Sequence, residues 1–287
     1  MKNKKVNLQT GRVMSEGDEL YYEVRGQGEP LLMIPPAGGD GWHYSLVADI
    51  LADEYKVILY DRRANARSTI NNPQNFEISQ QSRDAVAVLK AVGEKSASVF
   101  GLSSGAVIAL DVAKNHPQAV RKVIVHEPPI PRVLPEPEAE KWRRFFAKVY
   151  LTAFRFGSSL AAFKFFFGIK MPAMQMIKAT KDVNKHRAEN KEIYIDEKVT
   201  TEFMIKHELL PVTNYMLDVD KIKKDSTKIY MAVGEWSKKR NTWYAQTAKI
   251  VAGKLDCELI TFPGHHGSYM DMPEEFAATL RNLLQKI

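Results

Sequence analysis

The chain of 287 residues has one cysteine, Cys257. A single thiol cannot close an internal disulfide and offers no ligand pair, so zinc binding and thiol redox chemistry are not expected, and Cys257 reads as a small buried hydrophobe. Nothing else in the chain calls for a cofactor or a metal. Long apolar runs are also missing. No stretch reaches eighteen uninterrupted apolar residues, and the basic start Met1 to Thr10 has no apolar segment behind it. Neither a membrane span nor a signal peptide is therefore expected, and cytoplasmic residence is the default. Internal repeats and low-complexity tracts are absent. Charge of one sign is not concentrated either: 41 Lys and Arg against 34 Asp and Glu leave a net charge of +7. The basic residues are spread along the chain. Their short clusters, Lys221 to Lys224 and Lys238-Lys239-Arg240, read as solvated helix ends and loops, so neither nucleic acid nor a membrane is an expected partner. With 45% hydrophobic and 26% charged residues, the chain can bury a large core in one big domain or two smaller ones.

What the chain does have is a serine between two glycines. Residues 99–105 read Val-Phe-Gly101-Leu102-Ser103-Ser104-Gly105. Ahead of them, Ser96 to Phe100 has strand character. Behind them, Ala106, Val107, Ile108, Leu110, Val112 and Ala113 keep helical spacing until Pro117. A side chain presented on so tight a strand-to-helix turn needs small neighbours two positions away on each side, which makes Ser103 a candidate nucleophile. The next apolar run, Val120 to Val125, completes a β-α-β unit of about thirty residues and implies parallel strands.

The same alternation organises the rest of the core. Segments around Arg12 to Met14 and Glu19 to Val24, split by Ser-Glu-Gly-Asp, predict a hairpin. Leu31 to Ile34 and Lys56 to Tyr60 read as buried strands, with a helix near Tyr44 to Leu51 between them and another over Gln80 to Val92. From 131 to 211 no convincing strand occurs, and aromatic residues including Trp142, Phe145, Phe146, Tyr150 and Phe163 sit in helical surroundings. This predicts a helical cap, 131–211, inserted into a core of 1–130 and 212–287. Apolar faces so rich in Phe and Met have to be buried against something, and the roof of an apolar pocket is the economical answer. Strand signal returns at Lys228 to Val233 and at Glu258 to Phe262, with a helix over about Thr242 to Leu255 and a last one from Pro273.

Serine attacks only with a base in reach and donors for the oxyanion. Of seven histidines, His265 and His266 stand in the loop after the last strand, where a side chain can face the carboxyl edge of the sheet. His43, His116, His126, His186 and His207 read as structural or surface residues. The chain resembles the α/β-hydrolase family over essentially its full length. The resemblance rests on Gly101 to Gly105, on Asp61-Arg62-Arg63-Ala64-Asn65-Ala66-Arg67-Ser68, similar to the family's Asp-x-Arg-Gly-x-Gly-x-Ser loop, and on Pro263-Gly264-His265-His266. It implies an α/β fold with a mostly parallel sheet of about eight strands, an N-terminal antiparallel hairpin and a helical cap. It also implies His266 as the base, and the backbone N–H groups of Ala37 and Ser104 as oxyanion donors. Pro36, beside Ala37, cannot donate. Ala64 and Ala66 replace glycines of the Asp-x-Arg loop. The resemblance offers two acids: Glu127, after the strand that follows the nucleophile helix, and Glu235 as the alternative. Trp42, His43, Phe146 and Tyr150 are the candidate substrate contacts.

The activity so implied is serine hydrolysis of an ester or lactone with a sizeable apolar part, through an acyl-enzyme and without a cofactor. Peptidase, carbon–carbon bond hydrolase, cofactor-free peroxidase and macrolide-lactone esterase are alternatives on the same fold. A ligand-binding protein with little turnover is the alternative of a different class. Glu136, Glu138 and Glu140 keep the peptidase in view as anchors for a substrate amine. A small molecule is the expected partner, and the oligomeric state is open.

Overall fold

A computed structural model describes residues 7–69, 71, 76–189, 196–225 and 227–286. In chain order its elements begin with β1 (Leu8–Ser15), β2 (Asp18–Arg25), β3 (Glu29–Ile34), α1 (Ser45–Leu51), β4 (Tyr55–Tyr60), α2 (Ile78–Ala91), β5 (Ala97–Leu102), α3 (Ser104–Asn115) and β6 (Val120–His126). Six helices follow: α4 (Glu138–Phe156), α5 (Ser158–Gly168), α6 (Ala173–Glu189), α7 (Glu197–Phe203), α8 (Leu209–Thr213) and α9 (Val219–Lys224). The chain closes with β7 (Lys228–Gly234), α10 (Glu235–Lys239), α11 (Trp243–Leu255), β8 (Leu259–Phe262), α12 (Ser268–Asp271) and α13 (Pro273–Gln285). Between β6 and β7 the described residues contain no strand.

The strands form one sheet of eight in the order β1-β2-β4-β3-β5-β6-β7-β8. The β1–β2 hairpin is antiparallel and meets β4 antiparallel; all later neighbours are parallel. The parallel strands are nearly continuous apolar runs because helices cover both faces. Residues of α2, α3 and α11 pack on one face, and those of α1 and α13 on the other. A third cluster joins the α4–α8 region to the core through Trp243 and Tyr244 of α11. Cys257 lies in the turn before β8 rather than in the strand, half-buried, with burial pushing its thiol up to about 11.

The loop after β4 is a buried charge cluster. Asp61 accepts hydrogen bonds from the Gly41 amide (3.0 Å) and from Arg67 (2.7 Å), while Arg63 is held by Asp18 and by both oxygens of Asp84. Ala64 and Ala66 stand at φ +65° and +49°, in the left-handed region that the family's glycines enter without strain. The loop keeps its shape with alanine because the ion pairs around it fix both ends.

β6 ends at His126, a fully buried imidazole set among Phe100, Phe262 and Phe276 with neither ring nitrogen hydrogen-bonded. Burial without a partner pushes its pKa down to about 4, from an ordinary value of 6.5, so the ring is neutral at neutral pH. The folded state then resists protonation that the unfolded chain accepts. The stability contributed by a neutral His126 is complete above about pH 6.5 and is lost progressively as the pH falls towards 4, by about 3 kcal/mol in all. Replacing His126 by Leu is expected to flatten the fall in urea-unfolding free energy between about pH 7 and about pH 4.5; the same slope in variant and wild type would contradict it.

Candidate active site

Ser103 sits between β5 and α3 with φ +56° and ψ −121°, a backbone state a side-chain-bearing residue holds only under constraint. The constraint is visible in its neighbours. A Cβ on Gly101 would lie 2.3 Å from the Gly105 carbonyl oxygen, and one on Gly105 would lie 2.3 Å from the Ile34 carbonyl oxygen of β3. Only glycine allows the elbow to close against the adjacent strand. The Ser103 amide donates to the His126 carbonyl (2.9 Å), which pins the turn to β6.

One residue beyond His126, Glu127 also has a positive φ, +49°, and its side chain is fully buried. Its Oε1 accepts the Gly234 amide (2.9 Å), and its Oε2 accepts His266 Nδ1–H at 2.5 Å. Burial alone would raise this carboxyl's pKa. The hydrogen bonds from His266 and the Gly234 amide outweigh burial and hold it below its ordinary value, so Glu127 is a carboxylate. A carboxylate only accepts, so the proton of this bond belongs to His266 Nδ1, and Nε2 is left as the basic nitrogen. The ring of Tyr244 meets the imidazole edge-on at 5.2 Å.

The neighbouring histidine is locked in another way. His265 Nδ1 accepts the Gly267 amide (3.1 Å) and its Nε2 pairs with Asp271 (3.1 Å), which braces the loop that presents His266. Glu235, the alternative acid, begins α10, is exposed and pairs with Lys239 (2.7 Å). It does not meet either histidine. The ligand atoms of His126, Glu127 and His266 lie within 4.8 Å of one another. At 2.5 Å, however, the Glu127 oxygen and the His266 nitrogen are closer than two ligands around one cation, each at roughly 2.0–2.2 Å, can stand. The arrangement suits a shared proton better than a metal.

Ser103, Ser104, Ala37, Glu127 and His266 line one cavity of about 220 Å³. Neither the Ala37 nor the Ser104 amide donates a hydrogen bond among the described residues. The Pro36 carbonyl is held from two sides, by the Gly39 amide (2.9 Å) and by Arg62 (2.8 Å), so the proline sits in a fixed turn next to Ala37. No hydrogen bond joins the Ser103 and His266 side chains here; such contacts commonly tighten only around bound substrate.

Of the expected substrate contacts, His43 and Phe146 line the cavity. Trp42 does not: on a tight helical turn, adjacent residues point about 120° apart, and Trp42 is turned into the core beneath the Arg25 guanidinium, 5.0 Å from its ring. Tyr150 does not either. It stands four residues beyond Phe146 on α4, about 6 Å further along the axis, and its ring packs on Phe154. Glu136, Glu138 and Glu140 also lie away from the cavity, where Glu136 and Glu140 pair with Arg143 and Glu138 with Lys141. The side chain of His186 lies outside the described residues. Sequence reasoning missed Trp243 and Tyr244, Met204, and Glu208, whose Oε1 takes a buried salt bridge from Arg62 at 2.7 Å. Trp243 and Tyr244 carry a local signal, following the helix-capping Thr242; Glu208 carries none, because its partner is distant in sequence.

Comparison with known proteins bears on the fold that carries this site. Residues 30–157 match a family model described as the alpha/beta hydrolase fold. The "Uncharacterized hydrolase YraK" of Bacillus subtilis (strain 168) is 29% identical over 286 residues, covering 98% of both chains. A thermophilic esterase from Thermogutta terrifontis superposes with a TM-score of 0.74 at 18% identity, over 96% of this chain and 98% of its own. The enol-lactonase from Burkholderia xenovorans LB400 gives 0.72 at 14% identity, over 96% and 100%. The partial family match, the full-length similarity to a hydrolase and the superposed structures agree on the architecture: the chain has the alpha/beta hydrolase fold.

Proposed function

We propose that this hydrolase-fold protein is a serine hydrolase that cleaves an ester or lactone with an apolar part through an acyl-enzyme. The observation that carries the reading is the 2.5 Å Glu127–His266 bond beside a strained Ser103 in one cavity. In the proposed cycle His266 Nε2 takes the Ser103 Oγ proton as Oγ attacks the carbonyl carbon. The Ala37 and Ser104 amides receive the oxyanion, a contribution of about 3 kcal/mol for each donor. His266 returns its proton to the leaving alkoxide; water, deprotonated by the same nitrogen, then attacks the acyl carbon, and as the carbon–Oγ bond breaks His266 gives the proton to Ser103 Oγ and the acid leaves. Glu127 fixes the imidazole tautomer and steadies its charged form. The names of the relatives support the class: an esterase and an enol-lactonase share the fold.

The lining favours acyl or alkyl groups over charged ones: Phe146, Phe165, Ile169, Met204, Leu209 and Trp243 all contribute. At about 220 Å³ the cavity favours a compact ester or lactone over a macrolide. A peptidase reading loses its anchor, since the three glutamates at the start of α4 are not in the cavity.

A fluorophosphonate probe is expected to label the wild type and leave Ser103→Ala unlabelled; labelling of both would remove Ser103 as the nucleophile. On nitrophenyl esters of increasing acyl length, Glu127→Gln is expected to lower kcat by roughly 10²- to 10⁴-fold, the range for losing the acid of such a triad. Glu235→Gln should stay near wild type. A larger loss at Glu235 than at Glu127 would reverse the assignment.

A further inference from the structure

The helix that roofs the cavity has two apolar faces. α5 reads Ser-Ser-Leu-Ala-Ala-Phe-Lys-Phe-Phe-Phe-Gly, and a helix apolar nearly all round is normally buried. Its inner face is: Phe165 and, just past its end, Ile169 line the cavity. Its outer face is not. Leu160, Phe163 and Phe167, spaced i, i+3 and i+7, form an exposed stripe, with Phe163 68% and Phe167 78% accessible. The chain around it continues the pattern, with Phe154 and Phe156 at the end of α4 and Met174 and Ile177 on α6 also exposed. At ~200 Å² for each side chain, the exposed phenylalanines alone leave on the order of 600 Å² in water, the upper end of what a monomer's largest patch reaches.

The charge of the same segment is lopsided. Residues 141–187 hold eleven Lys and Arg against one acidic residue, Asp182. The cap's acidic residues lie towards its ends, where Glu136, Glu138 and Glu140 neutralise Lys141, Arg143 and Arg144. Lys148, Arg155, Lys170, Lys178 and Lys181 are exposed, and none of them forms an ion pair among the described residues. Counting charge over the whole chain, the basis for expecting no membrane partner, hides this local excess.

We propose that the outer face of α5, with the flanking parts of α4 and α6, docks on an anionic lipid bilayer. Exposed phenylalanines interleaved with unpaired cations on short helices suit the boundary between headgroups and acyl chains, where rings enter the apolar layer and Lys and Arg meet lipid phosphates. A second copy of the chain fits less well, because a twofold contact would set this basic face against itself. No helix among the described residues is long and apolar enough to cross a membrane, and the proposed attachment is peripheral. Phe166 is both exposed on this face and part of the cavity wall, so the docked cap would put the cavity beside the lipid. On the hydrolase reading, apolar esters dissolved in the bilayer become the natural substrates; the docking itself does not rest on that reading.

The test is flotation of the full-length protein with phosphatidylcholine vesicles and with vesicles that also contain phosphatidylglycerol. Binding is expected to the anionic vesicles, weakened by salt. Lys170→Ala and Lys178→Ala should each lower it about fivefold, the worth of one basic residue near such a surface. The Phe163→Ser/Phe167→Ser double variant should release the protein while keeping its circular dichroism and its urea-unfolding midpoint. Equal binding to both vesicle types, no binding to either, or variants that float like wild type would overturn the proposal. So would a dimer in sedimentation velocity that the double phenylalanine variant dissolves, since a second copy would then cover the face. Flotation requires no turnover, so a failure of the hydrolase reading leaves its result unaffected.

Discussion

The closest backbone approach in the site, between the elbow after β5 and the end of β3, is the constraint on which the rest hangs. With no Cβ on Gly105, the first turn of α3 lies against the Ile34 carbonyl, and the Ser104 amide comes out beside the loop that carries Ala37. A single methyl group there would push helix and strand apart and separate the two amides. The left-handed backbone of Ser103 is therefore not a local preference of serine. It is imposed by a sheet and a helix packed to a distance only glycine permits, and the cost of strain, of order 1–3 kcal/mol, is offset by the core around it.

Electrostatically the site is built around one buried carboxylate. Glu127 has no contact with water, and it stays charged because two donors reach it, His266 and the Gly234 amide. His126, close by and fully buried, remains neutral because burial outweighs the pull of the Glu127 carboxylate 4.0 Å away and neither ring nitrogen is hydrogen-bonded. Two groups so near each other thus hold opposite answers to burial, one kept charged by hydrogen bonds, the other kept neutral by their absence. Across the cavity the Arg62–Glu208 pair joins the loop after β4 to the segment between α7 and α8, and Arg62 also holds the Pro36 carbonyl in the turn before Ala37.

What could be read from the residues alone follows the range of the forces involved. The elbow is legible because its requirement is local: glycines two positions from Ser103 and apolar spacing on either side. The strand and helix alternation is legible for the same reason. Glu127 could be placed only as a strand end facing the right edge, since 139 positions separate it from His266. The substrate contacts were half legible. Adjacent residues on a tight turn diverge, which sends Trp42 and His43 to opposite sides, and no periodicity tells how far α4 runs before it passes the cavity. Glu208 and the amide of Gly234 were not legible at all, because a contact between distant segments leaves no pattern in either of them.

The proposed nucleophile and its proposed acid share one further property. Leu102 pairs with His126 in the parallel register of β5 and β6, so Ser103 and Glu127 leave the sheet at the same level, each with a left-handed backbone and each still bonded to the next strand, Ser103 to the His126 carbonyl and Glu127 to the Ala232 carbonyl. Their spacing is inherited from the hydrogen-bond ladder and owes nothing to the helices above it. On the proposed reading, chemistry and selectivity are consequently stored in separable parts of the polypeptide: the ladder sets the spacing of the reacting groups, while the segment between β6 and β7 supplies much of the cavity wall and so decides which molecules reach them.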